Sequence, residues 1–147
     1  MAAAFVRSAR GQRQGNVNRE ELTIPFDFAA GRGSILVGVR IDSRPAVLIV
    51  DTGSAHTILR PSIAGVSPSE LALPSSGAGI VGDAVGREVT LEIGQRVWPR
   101  RRVAVMDLSR SLAAYHEKID GLLGIDFFLE FSQAIIHLKD RRVRFVP

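Results

Sequence analysis

The chain has 147 residues, of which 46% are hydrophobic and 23% charged, with a net charge of +4 and no cysteine. That composition excludes a disordered polypeptide and fits one globular domain with a real core. The lack of cysteine excludes disulfides, thiolate chemistry and cysteine-ligated zinc, and no run approaches the ~18 apolar residues of a membrane span.

Residues 1–19 read as a mobile basic tail with Arg7, Arg10, Arg13 and Arg19, and residues 20–147 as the folded domain. Met1 to Val6 is too short for a signal-peptide core and has no basic segment before it, so the expectation leans cytoplasmic while the compartment stays open. Leu22, Ile24, Phe26 and Phe28 alternate with other residues, predicting a half-buried strand, and Pro25 puts it at a sheet edge. Ser34 to Ile41 is a second strand, Asp42-Ser43-Arg44-Pro45 a turn, and Ala46 to Val50 the returning strand of a hairpin. Pro61 to Ser76, rich in Pro, Ser and Ala, reads as a loop with room for one helical turn. Val89, Leu91 and Ile93 alternate with Thr90 and Glu92, Gly94-Gln95 turns the chain into Arg96-Val97-Trp98, and Val103 to Met106 is another strand. Asp126 to Phe131 is the best helix candidate, with Asp126 as its cap. Ala134 to Leu138 and Val143 to Val146 form a closing hairpin. With no strand–helix alternation, the fold class is all-β with one short C-terminal helix.

Arginine dominates the basic residues, Lys118 and Lys139 being the only lysines, and it clusters at Arg100-Arg101-Arg102 and at Arg141, Arg142 and Arg144. Such clusters could bind nucleic acid. They lack the interleaved aromatics of a single-strand surface, so solvated turns and strand ends are the favoured reading and no nucleic-acid partner is expected. Gly77-Ala78-Gly79-Ile80-Val81-Gly82 matches G-x-G-x-x-G. Leu73-Pro74-Ser75-Ser76 before it is no strand and Val89 to Ile93 after it is no helix, so a dinucleotide site is set aside in favour of a glycine-studded hairpin. His56, His116 and His137 have no metal-ligand spacing, and no G-x-S-x-G elbow accompanies Ser54.

The most informative stretch is Val47-Leu48-Ile49-Val50-Asp51-Thr52-Gly53-Ser54, followed by Thr57-Ile58-Leu59. A buried strand ends abruptly in a carboxylate, a hydroxyl and a glycine. A carboxylate so placed is a candidate for acid/base work, because desolvation or a neighbouring like charge raises its pKa. An Asp opening a turn, with Gly53 supplying backbone freedom, is the plainer alternative.

A second segment, Ile119-Asp120-Gly121-Leu122-Leu123-Gly124-Ile125-Asp126-Phe127-Phe128, is an apolar run broken by glycines. The order is buried strand with Asp51, glycine-rich hairpin, apolar-apolar-Gly, short helix. From about Leu22 to Val146 this resembles one lobe of the pepsin clan of aspartic proteases in its single-lobe, retroviral-type form, and Ile24-Pro25-Phe26 and Arg44-Pro45 resemble its bacterial members.

The resemblance implies an aspartic endopeptidase with a single-lobe acid-protease barrel, acting on a peptide or protein substrate without metal or organic cofactor. Asp51 is the implied catalytic residue, with Thr52, Gly53 and Ser54 supporting it. Gly77 to Glu88 is the implied flap, with Gly79, Ile80, Val81, Gly82, Asp83 and Ala84 meeting substrate. Ser54 can hydrogen-bond the carboxylate and favour its charged form. The mechanism needs two carboxylates sharing a proton. The chain carries one Asp-Thr-Gly, and Asp126 is the poorer second candidate, so a homodimer with Asp51 from each subunit is implied. Retroviral members carry an acidic residue two positions after the Gly of Asp-Thr-Gly, and an Arg after the later Gly that pairs with it. Ala55 and Ile125 stand there, which marks a different subfamily. A non-catalytic peptide- or protein-binding module on the same lobe is the alternative.

Overall fold

A computed structural model describes residues 20–71 and 84–147, and the basic tail with most of the glycine-rich segment lies outside them. The alternating segment at Leu22 splits into two strands, β1 (Leu22–Pro25) and β2 (Asp27–Phe28), which join different sheets. Phe26, 4% exposed, sits between them and donates its N–H to the Arg141 carbonyl at 3.0 Å. The next hairpin forms as expected from β3 (Ile35–Ile41) and β4 (Arg44–Val50). Its two-residue turn holds Asp42 and Ser43 at φ of 46° and 66°, the positive values that suit the twist of a tight hairpin.

After the Asp51 loop come a short strand β5 (Ile58–Leu59) and two four-residue helices, α1 (Pro61–Ala64) and α2 (Pro68–Leu71), in the stretch expected to be mostly loop. Pro61 and Pro68 each start a helix, where a missing N–H costs nothing. Two long strands follow, β6 (Val85–Ile93) and β7 (Arg96–Val105). Thus Arg96 to Trp98 and Val103 to Met106, read separately in the sequence, belong to one strand, which ends one residue short of Met106. Its interruption is a bulge. Val89 faces Arg101 and Leu91 faces Trp98, so Thr90 lies opposite the two residues Pro99 and Arg100, and Arg100 has φ of 53°. Pro99 has no N–H to offer a ladder, which suits a bulge. Thr90 instead donates its N–H to the Asp42 carboxylate at 2.7 Å.

The chain closes with β8 (Gly121–Leu123), α3 (Ile125–Phe128), β9 (Gln133–His137) and β10 (Arg142–Val146). The seven-stranded sheet runs β2-β3-β4-β8-β5-β7-β6, and β6 returns to β3 through Arg40–Glu92 and Ile41–Leu91, which shuts it into a barrel. A three-stranded sheet, β1-β10-β9, packs beside it, with β1 at an edge as Pro25 required. The architecture is all-β, with three short helices rather than one among the described residues. None of these helices is long and apolar enough to cross a membrane.

The continuous apolar run of β4 has a structural cause, since the strand is covered on both faces. Ala46, Leu48 and Val50 face the barrel interior with Val37, Val39, Ile41, Leu59, Leu91 and Leu123. Val47 and Ile49 face outward under Leu36, Leu108, Leu112 and Ile119, from β3 and the segment before β8. Each fully buried side chain contributes ~1.5–3 kcal/mol. Below the barrel, Phe127 of α3 packs edge-on against Trp98 and Phe145, with ring centroids 5.1 and 5.5 Å apart.

Candidate active site

Strand β8 enters the barrel between β4 and β5, parallel to the first and antiparallel to the second. Its two glycines make that possible. A Cβ on Gly121 would lie 2.1 Å from the Ile58 carbonyl oxygen, and one on Gly124 would lie 2.3 Å from the His56 carbonyl carbon and oxygen. Backbone therefore touches backbone on either side of the Asp51 loop. This is the physical reason for the apolar-apolar-Gly pattern at Leu122-Leu123-Gly124.

The loop is held at both ends by β8 and its exit. Asp51 donates its N–H to the Leu123 carbonyl at 3.0 Å, and Ile125 donates its N–H to the Ser54 carbonyl at 2.8 Å. Ser54 N–H returns to the Asp51 carbonyl at 3.2 Å, closing the turn. Asp51 is half-buried, and Thr52 and Gly53 are exposed. The Asp51 Oδ1 accepts the Gly53 N–H at 3.0 Å. Gly53 is also tight against that carboxylate, since a Cβ there would lie 3.2 Å from Oδ1.

Ser54 behaves differently from the expectation. Its hydroxyl donates to the His56 carbonyl at 2.7 Å, so it braces the loop's own backbone rather than the Asp51 carboxylate. His56 itself is exposed. Of the expected substrate-contacting residues, Gly79, Ile80, Val81, Gly82 and Asp83 lie outside the described residues. Ala84 is 3% exposed, and Val85 to Glu88 are already paired with Val105 to Arg102, so this end of the expected flap is built into the sheet.

Asp126 is not a partner for Asp51. It belongs to the first turn of α3, whose N-cap is Gly124 and carries no side-chain cap. The Asp126 carboxylate is occupied elsewhere: Oδ1 accepts the Thr57 hydroxyl at 2.9 Å, and Oδ2 accepts Arg101 at 3.4 Å. Thr57 is fully buried, and its Oγ1 also accepts the Gly124 N–H at 3.3 Å. Arg101 extends the network, pairing with Glu130, which accepts the Trp98 indole N–H at 2.8 Å.

Arg101 was hidden in the sequence within a run of three arginines that reads as solvent-facing. Its side chain is only 9% exposed, because the bulge turns it inward. Strict alternation would put Trp98 and Arg100 on one face. Two residues opposite Thr90 put Trp98 and Arg101 there instead. The signal was Pro99, which has no place in the middle of a regular ladder.

The sequence pattern of the family described as Aspartyl protease matches residues 37–127, from β3 into α3. The chain belongs to the aspartyl protease family. The match takes in the Asp51 loop and the Leu122-Leu123-Gly124 segment. No curated protein matches the chain by sequence. Among solved structures, a retropepsin-like aspartic protease from Rickettsia conorii is similar with a TM-score of 0.55 at 16% identity, covering 86% of this chain and 89% of that one. The retroviral protease-like domain of Ddi1 from Leishmania major gives a TM-score of 0.46 at 16% identity, over 78% and 94% of the two chains. The EIAV protease complexed with the inhibitor HBY-793 gives 0.42 at 16% identity, over 71% and 92%. The fold of this aspartyl protease family member is retropepsin-like.

Proposed function

We propose that the chain is an aspartic endopeptidase whose active site forms when two copies bring their Asp51 carboxylates together. The observation that carries this reading is the Asp51 loop itself. It is fixed from behind by Leu123 and Ile125, yet it exposes Thr52 and Gly53 at the surface, with one such loop per chain. A carboxylate held rigidly on an open surface is half of a two-carboxylate site.

Two such carboxylates cannot both ionise easily, so they share a proton. The charged one takes a proton from a bound water as that water attacks the scissile carbonyl carbon. The protonated one donates to the carbonyl oxygen, and the departing amine then collects a proton. Gly53 leaves room for substrate backbone, and the Thr52 hydroxyl reaches across to the other copy's loop. The three-stranded sheet supports a surface for pairing. Among the described residues no strand pairs with the outer edge of β9, and Ile136 within it and Leu138 just beyond are 43% and 60% exposed. The β1 edge, ending in Pro25, is the poorer pairing surface.

The test is cleavage of a mixed peptide pool from acidic to neutral pH by the wild type and by Asp51→Asn. The substitution removes the proton shuttle at nearly constant volume, so activity should fall ~10²–10⁴-fold with unchanged circular dichroism. Hybrids of wild-type and Asp51→Asn subunits should be nearly inactive. A monomer active at full specific activity would refute the shared site, and peptide binding without cleavage by the wild type would identify a binding module.

A further inference from the structure

Beneath the Asp51 loop lies a charged network that the proposed chemistry does not use. We infer that Arg101 is a positioning residue for the Asp51 loop, acting through Asp126 and Thr57. The inference rests on the reading of Asp51 as the acid/base group.

The path is continuous. Arg101 bonds Asp126 Oδ2, Asp126 Oδ1 accepts from Thr57, and Thr57 Oγ1 accepts the Gly124 N–H. Gly124 lies between Leu123, whose carbonyl holds Asp51, and Ile125, whose N–H holds the Ser54 carbonyl. A shift of Thr57 or Gly124 must move both anchors, since no gap separates Gly124 from the His56–Thr57 backbone.

Charge explains why an arginine is needed. Asp126 sits under the loop with its side chain 25% exposed, bonded to a fully buried hydroxyl. Left without a cation, a carboxylate there would turn toward water and release Thr57. Ala55 in the loop and Ile125 beside Asp126 are uncharged, so neither supplies the cation. Arg101 arrives from another strand and is itself constrained. Glu130 takes its other nitrogen, and its guanidinium lies 5.2 Å over the Phe127 ring. Its buried Nε has no hydrogen-bond partner among the described residues.

The experiment compares wild type, Arg101→Met, Arg101→Lys, and Arg101→Met combined with Asp126→Asn. The first readout is amide hydrogen exchange well below the melting temperature. In Arg101→Met the N–H groups of Asp51, Gly124 and Ile125 should exchange at least tenfold faster, while those of the β3–β4 hairpin keep their wild-type rates. Asp126→Asn in that background removes the stranded charge but keeps an acceptor for Thr57, so it should restore most of the protection. Arg101→Lys should fall between. The second readout is the kinetic split: kcat should fall roughly tenfold or more in Arg101→Met, with KM changed less than twofold. Uniformly faster exchange across the barrel would overturn the inference in favour of a plain stability role. So would unchanged exchange at Gly124 and Ile125. Should Arg101→Met fail to fold, Arg101→Lys and the double variant carry the same comparison. Exchange needs no turnover, so a wild type that cleaves nothing would sink the catalytic reading and leave this one to stand or fall by itself.

Discussion

The main-chain N–H of Asp51 donates to the carbonyl of Leu123 at 3.0 Å. A catalytic candidate on one hairpin is thereby positioned by a strand from the far end of the sequence. The position of Asp51 depends on Gly121 and Gly124 as much as on its own neighbours, and this makes the site sensitive to changes that never touch the carboxylate.

Gly121→Ala and Gly124→Ala should each destabilise the protein by ~3 kcal/mol or more, because the added Cβ would overlap main chain that cannot turn aside. Gly38→Ala is the control, since nothing lies within 4 Å of a Cβ there. It should stay within about 0.5 kcal/mol of wild type. Urea unfolding of the three variants checks the contrast, and a Gly124→Ala protein of wild-type stability would contradict the close packing.

The pH–rate profile should be bell-shaped, since a carboxylate pair works only while it holds one proton. Ser54→Ala should leave both limbs close to their wild-type positions, because the Ser54 hydroxyl is committed to the His56 carbonyl. An acidic limb displaced toward neutral in Ser54→Ala would show that the hydroxyl turns to the carboxylate in the assembled site. Measuring kcat/KM across pH 3 to 8 decides between them.

Glu117 offers a pH effect on stability away from the site. Its carboxyl is held below the ordinary glutamate range, chiefly by the Ala30 N–H that it accepts. A folded value below the unfolded one means that the folded state binds the proton less readily. The contribution is therefore present above about pH 4.3 and lost as pH falls through the lowered value. Thermal melts should show Glu117→Gln less stable than wild type near neutral pH, with the two curves converging in acid. A gap that widens in acid would reverse the sign argued here.

Thr52 is exposed in the single chain, and its hydroxyl has no partner among the described residues. Thr52→Ala should weaken the dimer more than Thr52→Ser. At about 1 kcal/mol per lost hydrogen bond, and with two copies per dimer, the dissociation constant should rise about tenfold or more. Sedimentation on dilution measures it, and equal effects of the two substitutions would remove the hydroxyl from the interface.

What could be read from the sequence was whatever rests on local pattern. Val47 to Val50 announces a buried strand and Asp42 to Pro45 a hairpin turn, whereas the place of Leu122-Leu123-Gly124 beside Asp51 came only through the family resemblance. What stayed hidden depends on contacts between distant residues. Phe26 lets one alternating run serve two sheets, and no alternation rule marks such a switch. The bulge opposite Thr90 merges two expected strands into β7 and turns Arg101 inward. Asp126 looked like a helix cap because its letter suits that role, whereas Thr57 and Arg101 claim its oxygens. Ser54 gives its hydroxyl to the His56 carbonyl, a backbone acceptor that the letters Asp-Thr-Gly-Ser do not announce.

The parallel pairing of β4 with β8 also sets an order of events. Leu48 to Val50 must wait for Gly121 to Leu123 before the barrel seam can close. Joining segments so far apart carries a loop-closure cost, and non-local pairings of this kind slow folding. A chain emerging from the ribosome exposes Asp51 long before β8 is made. Until then the loop has neither the Leu123 carbonyl nor the Ile125 N–H to shape it. On the reading of Asp51 as half of a shared site, a chain not yet extended through Ile125 lacks both anchors, so its loop cannot hold the shape that a second copy would have to meet.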